Sequence, residues 1–102
     1  MMLKSFDPSN GEFIGEVAIT PVSAIPEITT AAAKAQKSWC ETAVDIRISY
    51  IAQAAKLVED NAEELAVLLS REMGKDIRRS YSEVMGCAQG APYIAEQVRV
   101  IS

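Results

Sequence analysis

The sequence predicts an α+β fold that is mostly helical, with an N-terminal β-hairpin over residues 3–19 and three or four amphipathic helices over residues 23–102. Three observations predict it. Apolar residues alternate at period two beyond a Pro-Ser-Asn-Gly reversal. After Ser23 the apolar spacing switches to steps of three and four. That helical spacing then persists, broken by a few capping signals, to the end of the chain. One hundred and two residues fit a single domain rather than two.

The hairpin begins with LKSFD, residues 3–7, and turns at Pro8-Ser9-Asn10-Gly11. Proline presets φ for a turn and Asn-Gly tolerates positive φ. Phe13, Gly15, Val17 and Ile19 then fall on one face of a returning strand. A lone hairpin is barely stable in water, so that face needs a cover. Thr20 and Pro21 end the strand.

Ser23 is placed to cap the first helix, with Pro26 and Glu27 suited to its first turn. Ile25, Ile28, Ala32, Ala35 and Trp39 form one stripe, whose alanines permit close helix approach. Thr42-Ala43-Val44-Asp45 reads as a second capping signal. Ile48, Ile51, Ala55 and Val58 carry the next stripe, and Asn61-Ala62-Glu63-Glu64 marks a restart. Leu65, Leu68, Leu69 and Met73 continue it to Gly74. From Asp76 onward Ile77, Tyr81, Val84, Ala88, Ala91, Ala95 and Val98 keep helical spacing. Gly86, Gly90 and Pro92 predict a kink near residues 88 to 92, since proline costs ~3 kcal/mol in a helix interior. The Gly86 and Gly90 spacing also predicts a closely packed small-residue face. A stripe ending on Val98, Val100 and Ile101 reads as interrupted.

Composition narrows the function classes. Apolar residues at 49% and charged residues at 24% describe a globular chain, not a disordered one. A net charge of −4 and no basic run argue against nucleic acid. No apolar run reaches the ~18 residues of a membrane span, and the polar N-terminus is no signal peptide. The expectation is a cytoplasmic protein. Cys40 and Cys87 lack CxxC spacing and the chain has no histidine, so no metal site is expected and both thiols read as reduced. Without histidine, Ser-His and Cys-His pairs are also excluded.

Gly74-Lys75 raises phosphate binding, but a Walker loop needs G-x-x-x-x-G-K-[ST] after a strand. Only MGKD is present, and a helix precedes it. The stretch therefore reads as a helix C-cap with a left-handed glycine, Lys75 lying near the negative dipole end. Glu63 and Glu64 read as a solvated face. Glu83, inside an apolar helix, calls for a partner such as Arg78, Arg79 or a segment outside the chain. Cys40 beside Trp39 has no base or oxyanion donor. The residues by themselves supply no catalytic group.

Taken in order, several segments resemble the N-terminal portion of the aldehyde dehydrogenase superfamily. They are Asp7-Pro8-Ser9-Asn10-Gly11-Glu12 before a short strand, Ala32-Ala33-Lys34-Ala35-Gln36 leading to Trp39, and Asp45-Ile46-Arg47 opening a helix. Asn61-Ala62-Glu63-Glu64-Leu65-Ala66, Glu72-Met73-Gly74-Lys75, Glu83-Val84 and Tyr93-Ile94-Ala95-Glu96 complete the set. The resemblance implies NAD(P)-dependent oxidation of an aldehyde to an acid, through a cysteine thiohemiacetal and hydride transfer. Members are several times longer. Their catalytic cysteine, general-base glutamate and nucleotide-binding glycines lie beyond this sequence, so neither Cys40 nor Cys87 takes a catalytic role. The chain alone is then expected to bind no cofactor and to be inactive, while the parent family uses NAD or NADP. The resemblance also packs this segment on the coenzyme-binding domain and sets Ser82 and Gly86 facing the substrate channel, which Gly86 leaves roomy. Pro92 departs from the family pattern. An EMGK-type segment occurs in members that oxidise semialdehydes. The uncovered stripes lead to a further expectation, a homo-oligomer formed through exposed apolar helix faces. The alternative function is a non-catalytic self-associating helical module or adaptor.

Overall fold

A computed structural model describes residues 1–101. Strand β1 (Met2–Phe6) pairs antiparallel with β2 (Phe13–Ala18), and a short 3-10 turn (Val22–Ala24) leads into the helices. These are α1 (Ile25–Glu41), α2 (Val44–Asp60), α3 (Ala62–Met73) and α4 (Ile77–Ile101). Hairpin and helices match the expected class and order. Ser102, the last residue of the expected helical region, lies outside the described residues.

In the hairpin Met2 faces Ala18 and Lys4 faces Glu16, with a register shift between Ser5 and Phe6. The loop is closed by its own polar groups. Oδ1 of Asp7 accepts from the Ser9 N–H at 2.8 Å and the Ser9 hydroxyl at 2.6 Å. The Gly11 N–H donates to the Asp7 carbonyl at 2.7 Å, and Gly11 takes φ 77°. The Phe6 and Phe13 rings then meet edge to face, centroids 5.9 Å apart. The face of Phe13, Val17 and Ile19 stays exposed, although α3 touches β1.

Helix α4 is the axis of the molecule and packs on both α2 and α3. It runs antiparallel to α2, since Arg99 near its end reaches Asp45 in the first turn of α2 at 3.2 Å. Where these helices cross, the buried apolar residues are all small: Ala55, Ala62, Ala66 and Ala88. Ser80 joins them with no exposed surface, its Oγ receiving the Ser70 hydroxyl at 2.8 Å. Small faces let backbones approach closely, so the larger residues of each stripe end up beside the contact. Leu68 and Met73 are exposed in α3, as are Ile77 and Tyr81 in α4. Val84, Ala91 and Ala95 are partly covered.

Three expected caps act differently. Ser23 lies inside the 3-10 turn and Ala24 takes the cap position of α1. The Thr42 hydroxyl donates back to the Ser38 carbonyl, closing α1 rather than opening α2. The Asn61 amide donates back to the Leu57 carbonyl at 2.7 Å, closing α2 rather than opening α3. For Thr42 and Asn61 the hydroxyl or amide finds a carbonyl of the preceding turn, the local competition these side chains are prone to. Gly74 caps α3 as expected, at φ 67°, its N–H donating to Ser70. Helix α4 continues through Pro92 without a break. The Gly86 and Gly90 face makes no close contact here, for a Cβ built at either meets nothing within 4 Å.

Candidate functional site

Ser82 and Gly86 are one turn apart on α4 and both are exposed. The turn at Gly74 reverses the chain, and Asp76 then opens α4 by accepting from the Arg78 and Arg79 N–H groups at 3.0 and 3.3 Å. That cap fixes the rotation of α4. Ser80 turns inward to Ser70, so Ser82 two residues later points away from the core. Ser82 borders two shallow open hollows. One is lined with the charged residues Asp76, Arg78 and Arg79. The other lies between α3 and α4 against Ala66, Val67, Ile77 and Tyr81 and is largely apolar. Gly86 opens to free space.

The corner before this face is braced. Lys75 bonds to Glu83, the partner that Glu83 called for, in place of Arg78 or Arg79. Sequence reasoning missed this pair because Lys75 lies in the link before α4, off the helix face that carries Glu83. Arg78 instead leans on Asp76 at 3.6 Å. Against the same corner rests the hairpin turn, since a Cβ on Gly74 would come within 3.2 Å of Cγ of Pro8. Asp7 is nearly buried there. Its carboxyl is held below the ordinary value by the Ser9 hydroxyl first, then by the Ser9 N–H, with a smaller pull from Arg71. The D-x-S spacing is the signal that could have shown this in the sequence.

A dinucleotide site must hold phosphate. Phosphate needs free N–H groups in a turn or at a helix start. Here the Gly74 N–H is held by Ser70, the first N–H groups of α4 are held by the Asp76 carboxylate, and Pro8 fills the turn. Lys75 is engaged by Glu83. These residues do not fit the coenzyme. Both cysteines are exposed, and the Cys40 thiol donates to the Lys37 carbonyl of its own helix at 3.1 Å. Among the described residues no cluster suits a metal ion, and no helix is long and apolar enough to cross a membrane.

The hairpin turn thus sits on the corner between α3 and α4, and α4, the longest helix, carries the packing of both α2 and α3. Residues 1–102 match the aldehyde dehydrogenase family, and the chain belongs to it. Malonate-semialdehyde dehydrogenase 2 of Bacillus thuringiensis is 36% identical over 80 residues, which is 78% of this chain and 16% of that protein. A succinate semialdehyde dehydrogenase of Escherichia coli is 30% identical over 95 residues, covering 90% of this chain and 20% of its own length. The crystal structure of an aldehyde dehydrogenase from Brucella melitensis biovar abortus superposes on all of this chain with a TM-score of 0.94 at 26% identity. The chain spans 21% of that structure, and about a fifth or less of these relatives.

Proposed function

We propose that this chain forms the N-terminal layer of an NAD(P)-dependent aldehyde dehydrogenase acting on a semialdehyde, and that it is inactive alone. The observation that carries this is the superposition of the whole chain on one part of an aldehyde dehydrogenase, at TM-score 0.94. The names of two relatives, a malonate-semialdehyde and a succinate semialdehyde dehydrogenase, support the substrate class. The coenzyme and the nucleophile come from outside these residues. What the chain contributes is the outer face of α4, where Ser82 and Gly86 border the substrate channel. Gly86, having no side chain, keeps that wall recessed. The proposed setting is the cytoplasm.

Incubating the purified chain with NAD or NADP and either semialdehyde tests the first part. No reduced coenzyme is expected, and turnover would overturn the reading. Grafting residues 1–102 in place of the matching segment of the Escherichia coli relative tests the second. The chimera should turn over, and Gly86→Phe within it should raise KM roughly tenfold by filling the channel. An unchanged KM removes Gly86 from the channel.

A second reading, a self-associating module, is favoured by the surface. The chain exposes 7910 Å². A folded monomer of its mass exposes about 5,700 Å². Light scattering decides it: a monomer up to millimolar concentration would sink the module.

A further inference from the structure

Charged side chains gather where α4 begins: Lys75, Asp76, Arg78, Arg79 and Glu83. Lys75 is taken by Glu83. The Asp76 carboxylate accepts from the Arg78 and Arg79 N–H groups, and Nε of Arg78 stands 3.6 Å from it. The Arg79 guanidinium is left over. Among the described residues it has no ion-pair partner, and Arg79 is exposed. Both arginines stand in the first turn of α4, where the positive end of the helix dipole opposes a cation. Helix stability does not explain them.

The register of α4 ties them to the face that carries Ser82 and Gly86. Arg78, Ser82 and Gly86 recur at steps of four, and Arg79 lies three residues before Ser82, so all four share one side of the helix. Ser82 and both arginines line one open hollow. The small residues at 82 and 86 leave room along this side. Helical side chains lean toward the N-terminus, so the two guanidinium groups close that end of it.

A semialdehyde has two unlike ends, a carbonyl carbon that reacts and a carboxylate that does not. The guanidinium fork matches both oxygens of a carboxylate. The chain as a whole carries a net charge of −4 and repels an approaching anion, so a free arginine on this face is a local exception. We infer that Arg79, with Arg78 beside it, receives the substrate carboxylate and sets a preference for aldehydes that carry a distal anion. This rests on the semialdehyde reading above and names the residue that serves it.

The test uses the chimera that carries residues 1–102 in the Escherichia coli relative, with succinate semialdehyde and butanal, its uncharged counterpart, as substrates. Arg79→Gln should lower the ratio of kcat/KM between the two roughly tenfold, through KM for the semialdehyde, because the contact is made before and during the reaction alike. Arg79→Lys keeps the charge without the fork and should recover part of the ratio. Arg78→Gln should lower it less, since that guanidinium is shared with Asp76. Raising the ionic strength should erode the ratio in the parent chimera and have little effect on Arg79→Gln. If Arg79→Gln slows both aldehydes alike, a carboxylate of the remaining protein holds the arginine, and the inference is overturned. A ratio that does not move overturns it as well. In both cases a raised KM in Gly86→Phe leaves the channel reading standing, whereas a chimera without turnover removes that reading and the inference together.

Discussion

Gly74 carries two demands that none of the other glycines combines. Its φ of 67° lies in the left-handed region, and a Cβ there would sit 3.2 Å from Cγ of Pro8. Gly74→Ala should therefore destabilise the chain by about 1–2 kcal/mol through backbone strain and hairpin displacement. Gly86→Ala, in an open helix position, should stabilise it by about 0.5–1 kcal/mol. Urea unfolding of the two variants checks the opposite signs. Asp7 sets a second prediction. Its folded carboxyl is held below the ordinary 3.8, so the ionised form contributes stability above that pH, and the contribution fades as pH falls through the lowered folded value. Asp7→Asn should lose stability at neutral pH, and its deficit against the parent should shrink on acidification through that window. A deficit constant with pH would assign Asp7 a packing role only. The Gly74 cap was legible because glycine before lysine at the end of an apolar stripe has few other uses. The Asp7 clasp needed a third partner, Arg71, which lies sixty-four residues away and has no local signal.

At the scale of elements, periodicity located each helix and put Ala55 and Ala88, both buried, on its stripes, but left out Ala62, Ala66 and Ser80. The leucines and isoleucines give the stripe its signal, while Ala55, Ala62, Ala66, Ser80 and Ala88 make the contact. Small residues win because the crossings of α4 with α2 and α3 are tight, and a hydropathy pattern weights size rather than fit. Caps were misread for a related reason. Thr42 and Asn61 can bond forward or backward, and only the corner geometry selects the backward bond. Asp76 is the side chain that does cap forward, on two N–H groups of the longest helix. Asp76→Ala should cost about 1 kcal/mol, with Asp76→Asn recovering most of it. If thermal unfolding of the alanine variant matches the parent, the start of α4 is held by the Lys75–Glu83 pair and the Ser70–Ser80 bond instead.

At the scale of the molecule, the radius of gyration is 17.6 Å. A compact chain of this length has about 13 Å. The family was legible in the sequence because its motifs are ordered along the whole chain. The open shape was legible only as stripes without partners, since nothing in a stripe says whether its cover lies in the same chain. The consequence is a sharp gradient of local stability. Helices α2 and α4 hold each other along their lengths, whereas α1 has almost nothing but its own hydrogen bonds. A helix of seventeen residues is marginal in water unless a face is buried. Native-state hydrogen exchange on dilute protein should show the slowest amides in α2 and α4, and those of α1 exchanging close to the unprotected rate. Amides of α1 as slow as those of α4 would mean that the bundle itself holds the helix.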